Sequence, residues 1–488
     1  MLFNSHQYVW FLFAAYLVFW GLKGAHHART LFLVVASYVF YVAGTYETAL
    51  EQAPPLGPVG WSVLCFGIIF VGSSLDFWIG RLMGRIEDKR KRLALLLVSI
   101  VYYLGVLALF KYWNFAVDNV SALAKYFGVS IAPHHTKLIL PFGISFFTFE
   151  TMSYTIDVYR KELAPAKSYK EYLLFVAFFP HLVAGPIVRP QQMLPQLEAD
   201  PVFDSDKQMA GLFRIGVGLF KKIVIGDILA ANLVGRVFDN PERFSSLEVL
   251  VGVYAYAMQI YNDFSGYSDI AIGSAALFGY ELPENFETPY RSRNLQEFWR
   301  KWHITLSSWL RDYLYIPLGG SKGSTLFTYR NLFLTMLLGG LWHGASWNFV
   351  IWGALHGGAL AVVRIFQRWQ EGRKDPIRMG AIAGTVLTFH YVCFAWIFFR
   401  AKDFSHATHL IARFGEGTLS SPNLSTRVLV TLAIAFVMHW APKTWLHSAV
   451  GTFSKGSAVR AGLAIAAFAL ILHRFAAQTT EPFVYGQF

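Results

Sequence analysis

Long apolar runs separated by short charged loops set the pattern of this chain. Runs near 7–22, 30–46, 60–80 and 93–113 hold few or no charged residues. A helix needs about 20 apolar residues to cross a bilayer, so these runs predict four membrane spans. The loops between them alternate in charge. Residues 23–29 carry Lys23 and Arg29, whereas 47–59 carry Glu47, Glu51 and three prolines, with no Lys or Arg. Residues 81–92, RLMGRIEDKRKR, hold six basic residues against two acidic ones. Basic loops stay on the cytoplasmic side, which places the N-terminus outside, 81–92 inside and 115–137 outside. A fifth span is expected near 138–158, before a cytoplasmic loop from Arg160 to Lys170. No basic stretch precedes VWFLFAAYLVFW, so the first run reads as a retained span and not a cleaved signal.

The middle of the chain is less regular. FFPHLVAGPIVRP, 178–190, is apolar but broken by three prolines and a glycine. Non-helical backbone at membrane depth survives only inside protein or beside a cavity, so an interior or re-entrant segment is expected. Residues 211–236, with Arg214, Lys221 and Lys222, suggest a helix partly at an interface. Residues 248–279 contain YNDFSGYSDIAIG, and Asp263 and Asp269 are expected to face the interior. Residues 284–330 are too polar to span and predict short helices at or dipping into the cytoplasmic surface. Spans return near 331–357 and 380–399, then near 428–441 and 459–475, which leaves the C-terminal EPFVYGQF outside. Without an internal repeat or a soluble domain, the whole of 1–488 reads as one membrane-embedded domain of roughly 10–13 crossing or re-entrant helices. Its core is 138–357 and its tail 476–488.

Composition sharpens the class. Charged residues make up 15% of the chain, where a soluble domain has about 25%, and the mean hydropathy is +0.40. The net charge of +12 is scattered between apolar runs, which suits cytoplasmic loops and anionic lipid headgroups and fits a nucleic-acid surface poorly. Cys65 and Cys393 both sit inside apolar runs, so neither a disulfide framework nor a cysteine metal site is expected. No HxxxH, HExxH or CxxC spacing occurs, and no metal is expected. The absence of a GxSxG elbow removes support for a covalent serine mechanism.

Candidate chemistry gathers in 291–357. GGLWHGASWNFVIWGALHG holds His343 beside Trp342, on a bed of small residues. Imidazole is the side chain best suited to proton transfer near neutral pH, and glycines let helices and ligands approach closely. His303 lies forty residues earlier in WRKWHITLS. His356, thirteen residues beyond His343, is rotated off its face and reads as structural. Arg300, Lys301 and Arg311 suit the phosphates of a donor, or equally the anchoring of an interfacial helix with Trp299, Trp302 and Trp309 as its aromatic belt. Composition does not choose between those roles. Asp312 beside Arg311 is a candidate internal ion pair.

At these residues the chain resembles the membrane-bound O-acyltransferase (MBOAT) family, and most of all its bacterial branch with the membrane subunit of alginate O-acetylation. The motifs are LPFGISFFTFETMSYTIDVYR, FFPHLVAGPIVRP, YNDFSGYSDIAIG, NFETPYRSRNLQEFWRKWHITLSSWLRDYLYIPLGG and YRNLFLTMLLGGLWHGASWNFVIWGALHG. Only 400–475 is generic. The resemblance implies an all-α polytopic fold: a ring of transmembrane and re-entrant helices around a thin central wall, with opposed funnels. It implies that His343 of LWHG is catalytic, and that His303 matches the family's RWHxS-type histidine, although this chain has KWHIT there. Trp302, Arg300, Lys301, Arg311, Asp312 and Trp342 become candidates for lining the donor site and tunnel. The tail pattern Phe483-x-Tyr485-x-x-Phe488 resembles an F-x-Y-x-x-F motif in which the tyrosine relays the acyl group, with Gly486 here where larger residues are common.

The expected function is transfer of an acyl group, acetyl above all, from cytoplasmic acetyl-CoA across the bacterial inner membrane. The end product is an O-acetylated exopolysaccharide or wall glycan, with an alginate-type system favoured. The expected partners are membrane lipids and a periplasmic acetyltransferase or polysaccharide-modifying protein, with no nucleic acid. A transporter or flippase of lipid-linked sugars is the rival, since broken helices and buried acids occur there too.

Overall fold

The computed structural model describes residues 5–371 and 380–454, with Phe3, Arg373 and positions 462, 467, 468, 470 and 472. Among the described residues all regular structure is helical. The chain divides into two compact units, Met1–Leu212 with Ile270–Pro283, and Phe213–Asp269 with Glu284–Phe488.

The first unit starts with α1 (His6–Gly21), whose first turn is capped by the Ser5 hydroxyl accepting from Tyr8 N–H at 3.1 Å. It continues through α2 (His26–Gln52), α3 (Gly57–Met83), α4 (Lys89–Leu107), α5 (Trp113–Tyr126), α6 (Ile144–Arg160), α7 (Tyr169–Ala177) and α8 (Pro190–Glu198). α2 and α3 are each long and apolar enough to cross a membrane. So is the continuous Lys89–Tyr126 stretch, where a π-helical turn at Ala108–Tyr112 joins α4 to α5. Its 38 residues outrun the ~30 Å hydrocarbon core, so the helix extends beyond both ends of the span expected near 93–113.

The expected span at 138–158 is also redrawn. α6 starts at Ile144 and is buried nearly all round, with Thr148, Glu150, Thr151, Ser153, Thr155 and Asp157 inside the protein. A helix so rich in polar groups is not faced towards lipid. The Pro-broken segment 178–189 is non-helical and interior, as expected. Its backbone is satisfied by side chains: Val188 N–H donates to Glu150 Oε1 at 3.0 Å and Phe179 N–H to Ser37 Oγ at 3.2 Å. Buried His181 places Nδ1 3.1 Å from that same Glu150 oxygen.

α9 (Ser205–Leu219) leads from the first unit into the second, which holds π-helical turns at Phe220–Asp227 and Ala230–Val234 and the short α10 (Gly235–Asp239). α11 (Ser246–Leu277) carries the two acids of YNDFSGYSDIAIG, of which Asp263 is buried and Asp269 partly buried. Asp263 and Asp227 sit 2.7 and 2.8 Å from Lys222 Nζ, all three nearly inaccessible. Asp269 pairs with Arg214 at 2.9 Å and Lys221 at 2.6 Å. Then come α12 (Leu295–Lys301), α13 (Ile304–Leu310), a π-helical turn at Arg311–Tyr315, α14 (Thr325–His343), α15 (Trp347–Gln370), α16 (Ala381–Arg400), α17 (Phe404–Phe414), α18 (Thr426–Trp440) and α19 (Lys443–Ser454). Short elements over 284–330 agree with the sequence. α15 and α16 complete five helices of spanning length and hydropathy among the described residues. The span expected near 331–357 is two helices, broken at 344–346. The expected span at 459–475 lies largely, and the tail 476–488 wholly, outside the described residues.

Candidate active site

His343 is the last residue of α14. Gly344 leaves the helix in extended backbone, and the Ser346 hydroxyl caps α15 by accepting from Asn348 N–H at 3.2 Å. A Cβ at Gly344 would overlap the Phe349 ring, so only glycine lets the chain turn this tightly. Further along the pair, a Cβ at Gly353 would lie 2.5 Å from Met336 O, and one at Gly340 would collide with Phe349 O. These glycines bring the backbones of α14 and α15 into contact, as the small-residue bed suggested.

The His343 ring is 5% exposed and boxed by aromatic faces. Its centroid lies 5.1 Å from Trp342, 5.1 Å from Trp352 at right angles, and 5.3 Å from Phe399. The end of a helix carries partial negative charge from its last carbonyls. His343 stands at that end of α14.

His303 is built differently. It precedes α13 with φ 41° and ψ 57°, a left-handed conformation that a non-glycine residue adopts at a cost. Asn285 holds it there. Ile304 N–H donates to Asn285 O at 2.9 Å, and Asn285 Oδ1 accepts from Thr305 Oγ1 at 2.9 Å. Asn285 Nδ2 donates to Ser268 Oγ at 3.1 Å, and Thr305 N–H, which can only donate, lies 3.4 Å from Oδ1 and identifies it as the acceptor end of the amide. His303 Nδ1, 3.1 Å from Oδ1, is therefore the protonated nitrogen, and Nε2 carries the lone pair. Burial among Phe264, at 4.6 Å, and Phe286 pushes the His303 pKa down to about 3, so the ring is neutral at physiological pH.

The two histidines border one aromatic core within the second unit. Trp352, against His343, stacks on Trp396 at 5.8 Å, Trp396 lies 5.1 Å from Trp302, and Trp302 directly precedes His303. Trp302 and Trp309, offered by the sequence as parts of an aromatic belt, are buried, and so is Trp342 beside His343. His356, read from the sequence as structural, is buried in this core. It accepts from Trp299 Nε1–H at 3.2 Å and packs on Trp352 at 4.7 Å.

The basic candidates divide. Arg300 is exposed and makes no ion pair among the described residues. Lys301 is bound to Glu297 at 2.7 Å, one turn back on α12. Arg311 and Asp312 form the ion pair that their adjacency suggested, at 2.7 and 3.2 Å. Sequence reasoning missed Asn285, Trp352 and Trp396. Only the polar Asn285 in the apolar-flanked ENFE stretch offered a signal. No group of three His, Cys, Asp or Glu residues suited to a metal occurs among the described residues. A groove of about 750 Å³ in the first unit, lined by Val39, Val63 and Phe66, is apolar and holds neither histidine.

The profile of the membrane-bound O-acyltransferase family matches residues 94–402. The chain is 36% identical to the "Probable alginate O-acetylase AlgI" of Azotobacter vinelandii, with 100% of both chains covered. It is 39% identical to the protein of the same name from Pseudomonas aeruginosa, over 89% of this chain and 81% of that one. It is also 35% identical to the "Peptidoglycan O-acetyltransferase" of Helicobacter pylori, over 78% and 72%. Both motif histidines, their aromatic core and the α14–α15 break fall inside the matched region, and the chain belongs to the membrane-bound O-acyltransferase family.

Proposed function

We propose that this chain moves an acetyl group from acetyl-CoA, on the cytoplasmic side of the bacterial inner membrane, towards a glycan hydroxyl outside. The observation that carries this reading is the placement of His343 and His303 on one buried aromatic core. Relatives named for alginate and for peptidoglycan point to a glycan acceptor, and full-length likeness to alginate O-acetylases favours an alginate-type polymer.

In the proposed step an acceptor hydroxyl attacks the thioester carbonyl and His343 takes its proton. The C–S bond breaks, the proton passes to the departing thiolate, and the products are an ester and CoA. General-base catalysis supplies roughly 10²–10⁴-fold, and positioning in a dry site supplies the rest. His303 offers an acceptor nitrogen, which suits orienting a donor N–H or O–H more than stabilising negative charge. The first acceptor is Tyr485 of the tail or a glycan-modifying partner protein outside. Trp302, Trp342 and Arg300 line the donor path, and the opposed-funnel ring expected of the family provides it.

The test is genetic and chemical. A strain lacking this chain should lose ester-linked acetyl from its exopolysaccharide or wall glycan and regain it on complementation. A glycan acetyl content unchanged by the deletion removes this reading.

A further inference from the structure

Away from the histidines, the first unit contains a buried polar cluster that the acyl-transfer reading does not use. Asp76 lies about two turns before the end of α3, inside a helix of spanning length. It is 0% exposed, and neither carboxyl oxygen makes a well-formed hydrogen bond. Among the described residues no Lys, Arg or His pairs with it.

α3 is shaped to gather hydroxyls around this carboxyl. Gly72 and Gly80 lie four residues before and after Asp76, on the same helix face. A Cβ at Gly72 would lie 2.8 Å from the Tyr103 hydroxyl, and one at Gly80 would collide with the Tyr154 hydroxyl. Ser99 and Tyr103 of α4 reach towards the carboxyl. Tyr154 of α6 packs on Tyr172 of α7 at 4.5 Å. The hydroxyls of Tyr103 and Tyr172 are themselves buried and make no well-formed hydrogen bond.

Other charged and titratable groups on the surrounding helices are engaged elsewhere. Arg81 of α3 donates to Lys167 O at 3.1 Å, and Arg92 of α4 to Met83 O and Val158 O. Glu150 of α6 faces His181, Asp157 of α6 accepts from Gln191, and Glu171 of α7 lies 3.6 Å from His26. Tyr102 donates to Ile68 O, and Tyr38 and Tyr41 of α2 bring only further hydroxyls.

A lone carboxylate in such a place is costly, and neutral hydroxyls do not cancel its charge. One carboxyl with several hydroxyl oxygens and no nitrogen base is a donor set for a small, hard cation. A divalent ion would leave net positive charge in an apolar interior. We propose that the Asp76 cradle binds one small monovalent cation, a proton or a sodium-sized ion, which neutralises the carboxyl inside the first unit.

The test is thermal unfolding of the purified full chain in detergent, for wild type and Asp76→Asn. Melting is followed from mildly acid to alkaline pH, in sodium chloride and in choline chloride at equal ionic strength. A bound cation stabilises the folded state by mass action. For a proton, wild type loses several degrees towards alkaline pH in both salts. For sodium, it melts several degrees higher in sodium than in choline at alkaline pH. Asp76→Asn needs no cation and should show neither dependence. Identical responses of wild type and variant to pH and salt overturn the proposal. If Asp76→Asn does not fold, wild type alone decides, by labelling with dicyclohexylcarbodiimide and mass spectrometry of the Asp76 peptide. Labelling that falls with alkali or with sodium supports the site. No label, or label independent of both, overturns it.

Discussion

At the scale of single residues, His303 and Asn285 act together. A left-handed backbone at a non-glycine residue costs of order 1–3 kcal/mol. Here hydrogen bonds from Ile304, Thr305 and the His303 ring to Asn285 offset that cost. The same bonds set the tautomer. Replacing Asn285 by aspartate should keep an acceptor beside Nδ1 but add a negative charge that favours imidazolium. His303, neutral down to about pH 3 in wild type, would then protonate at higher pH and lose its acceptor nitrogen. The pH–rate profile of Asn285→Asp should lose activity on the acid side where wild type holds it, while alkaline rates stay close. A superimposable profile would reduce Asn285 to a structural bond. The histidines themselves were legible in the sequence as motif positions. Asn285 was not, because a turn asparagine eighteen residues upstream becomes a partner only when the backbone folds back.

At the scale of elements, hydropathy located most helices but not their breaks. The run 331–357 looks continuous because glycine, serine and histidine interrupt it without adding charge. The cap at Ser346 and the tight turn at Gly344 divide it, and that division puts His343 at a helix end. Arg92 shows the opposite failure. It counted as one more basic loop residue, yet it is buried, and its guanidinium binds Met83 O, Val158 O and Tyr159 O, carbonyls in the last turns of α3 and α6. On α12 the structure separates two cations that the sequence left equivalent. Lys301 already has Glu297, and Arg300 does not. Charge reversal at Arg300 should therefore raise the apparent KM for acetyl-CoA by about fivefold, the equivalent of ~1 kcal/mol between charges in water. Lys301→Glu should cost less, and both effects should shrink in high salt. Equal, salt-independent KM values in membrane vesicles would return α12 to lipid anchoring.

At the scale of the whole molecule, the all-helical class, the multi-spanning character and the family followed from the pattern of apolar runs and five long motifs. The interior fate of 178–189 followed as well, since prolines at membrane depth leave few alternatives. The tail carrying Tyr485 lies beyond the described residues, so its relay role rests on the motif alone. Tyr485→Phe keeps the ring and removes the nucleophile. It should abolish glycan acetylation at normal protein abundance, while full activity in Tyr485→Phe would leave direct transfer at His343.

The central claim is that His343 is the base for attack on a cytoplasmic thioester. Inside-out membrane vesicles supplied with acetyl-CoA, carrying the wild-type chain or His343→Ala at equal abundance, test it by release of free CoA thiol. The account predicts release from wild type and a fall of roughly 10²-fold or more in His343→Ala. Near wild-type release from His343→Ala would contradict it.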